Sequence, residues 1–188
     1  MNYKHKIRHT IDKIRKNGAA FTLIELLISL FIIMLMVAMF LANYSAGTRS
    51  NNLSLGTQQM AEDLRMAQNK ALGSTQYNSS FPKGGWGVHF TTASTTKYAI
   101  FADTNGDKVY QANEMFQITP LPQSIVITGL SNGSAQTSLD ITFLPPDPIV
   151  RIYNGTATST TGYIYLKNTI TGATAQVKVN ILGLIQVN

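Results

Sequence analysis

Residues 21–49 read FTLIELLISLFIIMLMVAMFLANYSAGTR, and this stretch decides the architecture. After Phe21-Thr22-Leu23-Ile24-Glu25 the run from Leu26 to Ala42 is apolar, with Ser29 its only polar interruption. Those 17 residues, as a helix rising about 1.5 Å each, cover roughly 26 Å, just short of a hydrocarbon core of about 30 Å. Adding Phe21 to Ile24 and the mild Asn43 to Ala46 predicts a helix long enough to span a bilayer. Glu25 is the anomaly, a lone carboxylate one turn inside the run with no cation beside it. Such a charge costs about 2–4 kcal/mol in a membrane, so the sequence must provide for it elsewhere.

The residues ahead of Phe21 sharpen the reading. Lys16-Asn-Gly18-Ala19-Ala20 follows a basic leader. Basic leader, small residues, Phe-Thr-Leu-Ile-Glu and a long apolar helix together resemble the amino terminus of type IV prepilins and type II secretion pseudopilins. The resemblance implies that a membrane peptidase cuts between Ala20 and Phe21 and methylates the new amino group of Phe21. It also places Glu25 at the fifth mature position. Most members carry Gly immediately before the cut; here Gly18 is followed by Ala19 and Ala20, which makes Gly18–Ala19 the second candidate bond.

Two simpler segments share some of these features. A secretory signal peptide has an apolar core of about 7–15 residues before a small-x-small site. Ser45-Ala46-Gly47 could serve as that site, but the core here is longer and contains Glu25. A plain signal anchor accounts for the span and leaves Glu25 unexplained.

The net charge of +6 is concentrated at one end. Lys4, Lys6, Arg8, Lys13, Arg15 and Lys16 face only Asp12 in the first 20 residues, and the remainder carries nine basic against eight acidic side chains. The basicity is therefore a topology signal that keeps the leader in the cytoplasm, not a nucleic-acid footprint. Ile7, Ile11 and Ile14 fall at helical spacing among these cations. They suit either a short helix on the inner membrane surface or a solvated tail awaiting removal. The absence of cysteine excludes disulfides, thiolate chemistry and Cys-ligated zinc.

Past the span, Leu53, Met60, Leu64, Ala67 and Ala71 keep helical spacing while Glu62, Asp63, Arg65, Gln68 and Lys70 take other faces. This predicts an amphipathic continuation that buries one side, stopped at Gly73, with Gly47 and Gly56 as candidate kinks or hinges. From Gly84 the period changes to two. Val88/Phe90, Tyr98/Ile100, Ile125/Ile127, Ile141/Phe143, Val150/Ile152, Ile164/Leu166, Val177/Val179/Ile181 and Leu184/Val187 predict seven or eight strands separated by Gly, Pro, Asn and Ser clusters. The predicted class is α+β, a long helix whose second half packs on an antiparallel sheet. The expected divisions are a cleaved leader (1–20), a membrane and filament-core helix (21–46), its amphipathic continuation (47–73) and a β-rich head (74–188).

Met60 to Leu72, Gly85-Trp86-Gly87-Val88, Tyr98-Ala99-Ile100-Phe101 before an acidic loop, Ile141-Thr142-Phe143 and the strand pair around Gly183 resemble the H-type pseudopilins and, equally, the FimT-type minor pilins. The resemblance implies a pilin-like fold and a non-enzymatic subunit, of a minor kind, of a type IV pilus or secretion filament. Its partners would be prepilin peptidase, other pilin or pseudopilin subunits and, before assembly, cytoplasmic membrane lipid. It would be a single-pass protein with its amino terminus in the cytoplasm, later part of an extracytoplasmic filament. Glu25 would neutralise the amino group of Phe21 on a neighbouring subunit. The alternatives are a DNA-capturing minor pilin of a competence pilus and a surface adhesin. Against DNA capture, Lys178 stands alone near the carboxyl end and Leu184 to Asn188 holds no cation.

Asp103-Thr-Asn105-Gly-Asp107-Lys-Val109-Tyr-Gln-Ala-Asn-Glu114 places oxygen ligands at loop positions 1, 3 and 5 and a closing Glu at position 12. This is the order of an EF-hand-type calcium loop, with the Val109 carbonyl at position 7. Lys108 stands where that loop needs Gly for its turn, and the flanks read as strand. An acidic, Asn/Gly-rich turn between strands fits the same residues. For catalysis there is little material. His89 is the only histidine after the leader, in a strand pattern without a nucleophile motif or phosphate loop. Trp86 reads as core or as a turn anchor.

Overall fold

The computed structural model describes residues 21–145 and 149–188, with residues 42–50 described by backbone alone. The leader readings, the Ile7/Ile11/Ile14 face and the Ala20 side of the cleavage bond lie outside the described residues. The chain divides into two compact units, Met1–Ser45 and Ala46–Asn188.

One helix, α1, runs Leu23–Leu72. Its segment Leu23–Leu41 has a mean hydropathy of 2.8, none of it buried, and is long and apolar enough to cross a membrane. From Leu53 onward the character becomes one-faced. Met60, Ala61, Leu64, Ala67 and Ala71 enter the core of the second unit, and Glu62, Arg65 and Asn69 stay exposed. Thr57 is buried among them, and its hydroxyl is satisfied by donating to the carbonyls of Leu53 and Ser54. Gly56 lies against Ile125 and Pro122, where a Cβ would stand 3.4 Å from each. Its place in the second unit is one of close approach.

The helix ends at Leu72, so Gly73 is its stop as expected, and it closes through a Schellman arrangement. Thr75 N–H bonds to Lys70 C=O and Ser74 N–H to Ala71 C=O. The left-handed residue is Ser74, at φ 48°, with Gly73 as the cap before it.

Eleven strands follow among the described residues: β1 Gly85–Thr91, β2 Lys97–Asp103, β3 Met115–Pro120, β4 Ile125–Ser131, β5 Ala135–Gln136, β6 Ser138–Leu144, β7 Ile149–Tyr153, β8 Thr158–Ser159, β9 Thr161–Asn168, β10 Thr174–Asn180 and β11 Ile185–Val187. They form two antiparallel sheets, in the orders β3-β2-β1-β6-β7-β8 and β11-β10-β9-β4-β5. The class is α+β with pilin-like architecture. The single sheet expected from the alternation is in fact two, because a period of two specifies a buried face without specifying which sheet owns it. The sheets meet face to face at Gly162, where a Cβ would lie 3.1 Å from Ile152 and 3.2 Å from Leu139.

Ile181 was expected in strand, but β10 ends at Asn180 and Ile181 is exposed. The side-chain oxygen of Asn180 accepts the N–H of Leu182 and Leu184, and Gly183 turns at φ 80°. These contacts close the β10–β11 hairpin.

The five-stranded sheet is buried on one face only, as β9 shows by alternating Gly162, Ile164 and Leu166 inward against Tyr163, Tyr165 and Lys167. The longer sheet is covered on both. Trp86, Val88, Phe90, Ile100, Ile141 and Ile152 face the shared core with α1. Phe101 is equally buried yet stands outside that core, on the opposite face. What covers it there is the acidic loop.

Candidate functional site

Two places carry chemistry, one in each unit. At the start of α1, Thr22 is the N-cap: its hydroxyl oxygen accepts the Glu25 N–H at 3.3 Å, and its carbonyl accepts from Glu25 and Leu26. Thr22-x-x-Glu25 is the Ser/Thr-x-x-Glu order of a capping box, with Glu25 at the third helical position. A carboxylate there also complements the positive end of the helix dipole. Glu25 thus has a role in its own helix as well as any role between subunits. The signal was legible in the sequence and was obscured by the transmembrane reading. Ser29, the one polar residue in the run, donates its hydroxyl to the Glu25 carbonyl at 2.8 Å. That disposes of its polarity inside the helix. Phe21 precedes the helix and is 78% exposed.

The second place is the loop between β2 and β3. Gly106 turns at φ 86° and Lys108 at φ 68°. Lys108 therefore takes the left-handed conformation that its loop position demands, despite its Cβ. A short 3-10 turn, Ala112–Glu114, follows in place of a helix. The fold brings Asp103, Asp107 and Glu114 together, a carboxylate oxygen of each within 4.8 Å of the others. Asp103 and Glu114 are fully buried; Asp107 is exposed.

Backbone donors hold this arrangement. Asp103 accepts from Gly106 N–H at 2.6 Å through one oxygen and from Lys108 N–H at 2.8 Å through the other. Burial pushes the Asp103 carboxyl above its usual range. The two N–H donors oppose that rise, and the charges of Glu114 and Asp107 add to it. Asn105 turns its carbonyl oxygen to the Asp107 N–H and its amide to the Asp107 carboxylate. Asp107 also accepts from Val109 N–H and from the Gln111 amide. On Glu114 the two oxygens differ. Oε1 accepts the N–H and hydroxyl of Thr104, each at 2.8 Å, and the Asn105 N–H at 3.4 Å. Oε2 is buried and meets no donor among the described residues.

Thr104 and Tyr110 are the loop residues that the sequence did not single out. Tyr110 closes the loop over the outer face of the longer sheet. Its ring stacks on His89 at 4.5 Å and meets Phe101 edge-on at 5.6 Å, and its N–H donates to Asp140 Oδ2. Asp140 Oδ1 pairs with His89 Nδ1. His89 is thereby part of a seam between sheet and loop, and its ring is covered by Tyr110. Trp86 is a core residue and a turn anchor at once: its Nε1–H donates to the Thr75 carbonyl, and Lys70 Nζ stands 4.7 Å from its ring centre. Gly84 abuts the loop so closely that a Cβ would fall 1.7 Å from Asp103 Oδ2.

Residues 15–41 match the family model of the prokaryotic N-terminal methylation motif. That stretch contains Phe21, the capping pair Thr22 and Glu25, and the apolar segment. No characterised protein and no solved structure matches the chain.

Proposed function

We propose that this chain is a structural subunit of a type IV pilus or type II secretion filament, a pilin or pseudopilin of the minor kind. Prepilin peptidase removes residues 1–20 and methylates Phe21. The chain waits in the cytoplasmic membrane through its single span, with the leader inside, and then joins the filament through α1. The observation that carries this reading is the coincidence of the methylation motif with an apolar helix exposed on every face. So much uncovered apolar surface requires a partner, first lipid and then the helices of other subunits.

In the filament Glu25 neutralises the amino group of Phe21 on a neighbouring subunit. A charge pair in low dielectric offsets burial where a lone carboxylate cannot. Glu25→Gln isolates this role, because Gln also serves at the third position of a capping box while the charge is removed. The variant inserts and is processed as wild type, and its incorporation into filaments falls about tenfold or more. That is a modest demand where breaking a buried pair costs about 3–5 kcal/mol. Wild-type incorporation would contradict the pairing.

The second reading, capture of DNA, has one observation in its favour. The outer face of the five-stranded sheet groups the stacked rings of Tyr163 and Tyr165 with Lys167 and Lys178. Two cations neutralise few phosphates, so any binding there is weak and vanishes at moderate salt.

A further inference from the structure

The acidic loop is held together in a way that a turn alone does not need. Three carboxylates share one small space, and two of them are out of water. Like charges so placed repel, and a buried carboxylate oxygen without a donor carries its full desolvation cost. Glu114 shows that condition: Oε1 is saturated by Thr104 and Asn105 while Oε2 has no donor among the described residues. An ordinary loop acid would turn such an oxygen to solvent or to an N–H. Here it is left over in a cluster whose other members also offer oxygen.

We propose that Asp103, Asp107 and Glu114 bind a calcium ion, with Glu114 Oε2 as the buried ligand that fixes it. The donor set is all oxygen, which suits a hard cation. Oxygens on opposite sides of a calcium ion at about 2.3–2.6 Å are about 4.6–5.2 Å apart, so a spread within 4.8 Å fits one shell. The mixed burial of the ligands suits calcium's irregular shell, completed by water on the Asp107 side. Departures from an EF-hand follow from the frame: strand β2 delivers Asp103, a 3-10 turn delivers Glu114, and no helix flanks either.

The ion ties the two ends of the loop together. Tyr110 lies between them, so ligation holds its ring over His89 and Phe101 and its N–H on Asp140. Calcium therefore fixes the surface that covers the outer face of the longer sheet. This inference does not depend on the filament reading, since the loop and its seam lie wholly within the second unit.

The test uses the purified full chain in detergent, with equilibrium dialysis against radioactive calcium and melting curves in calcium, magnesium or chelator. One ion binds per chain with a dissociation constant of about 10⁻⁴–10⁻³ M, the range of extracellular modules. At ten times the upper value, calcium raises the melting temperature by about 3–6 °C over chelator. Asp107→Asn, at an exposed position, and Glu114→Gln each weaken binding at least tenfold and cut the rise to about 1–2 °C or less. Should Glu114→Gln fail to fold, Asp107→Asn decides alone. No bound calcium at 10 mM, an unchanged affinity in Asp107→Asn, or an equal rise in magnesium would overturn the proposal.

Discussion

Tyr98→Phe removes one of the polar bonds that fix the second half of α1 to the head, beside those of Asn52 to the Gln123 carbonyl and Gln59 to the Pro120 carbonyl. The Tyr98 hydroxyl donates to Asp63 Oδ2 at 2.7 Å, from a buried ring on β2 to a half-buried carboxylate on the helix. Hydrogen bonds to charged groups contribute about 1.5–3 kcal/mol. Water can reach Asp63 once the phenol is gone, so the low end applies, about 1.5 kcal/mol, or a fall of about 3–6 °C in Tm. The contact also has a pH signature. Burial, reinforced by Asp63, holds the phenol protonated far above the usual tyrosine value of 10.0. A folded pKa raised above the unfolded one gives stability that is complete below about pH 10 and lost as pH climbs beyond it. The loss approaches about 1.4 kcal/mol per pH unit. The assay is denaturant unfolding of both proteins in detergent at pH 8 and pH 11. Wild type exceeds the variant by about 1.5 kcal/mol at pH 8, and the difference shrinks nearly to zero at pH 11. Equal stabilities at pH 8, or a difference that survives at pH 11, would mean that the Tyr98–Asp63 bond does not stabilise the fold in this way.

Leu64 is 0% exposed, so Leu64→Ala costs about 2–5 kcal/mol, whereas Leu55→Ala, at a residue 55% exposed, stays within about 0.5 kcal/mol in the isolated subunit. Chemical unfolding of the pair reads which face of the helix is packed. Gly85→Ala puts a Cβ 1.9 Å from the Phe143 carbonyl at φ 83° and prevents native folding, seen as rapid proteolysis. Gly133→Ala, at φ 111° with nothing within 4 Å, loses only about 1 kcal/mol.

The long helix was legible because composition alone distinguishes an all-round apolar run from a one-faced stripe. Strands β4, β7, β9 and β10 were legible because their buried side chains alternate, and β1, β2 and β6 because their large apolar residues do, although neighbouring positions on both faces are buried. Strand β3 was not. Met115, Phe116 and Ile118 are exposed on an edge strand, and its single buried side chain is Thr119, which inverts the usual pattern. Strands β5 and β8 have two residues each, too short for any period. The division into two sheets depends on contacts such as Gly162 against Ile152, and these link residues by space and not by spacing.

At the acidic loop, residue types pointed to Asp103, Asn105, Asp107, Val109 and Glu114, and the fold brings the three carboxylates Asp103, Asp107 and Glu114 together. Neither the complete burial of Glu114 nor the role of Thr104 in occupying one of its oxygens follows from order along the chain. Likewise Phe101 reads as a core residue, yet its burial comes from Tyr110 on the far face of the sheet. Thr22 and Glu25 are the reverse case, a local pair fully written in the sequence.

Residues 15–41 match the methylation motif, and the filament reading requires them to operate as a processing and methylation signal. Intact-mass measurement of the protein extracted from membranes tests it most directly. The expected product is a chain that has lost residues 1–20 and begins at Phe21 with one added methyl group. A mature chain beginning at Thr48, cut after Ser45-Ala46-Gly47, or one that keeps its leader intact, would contradict it.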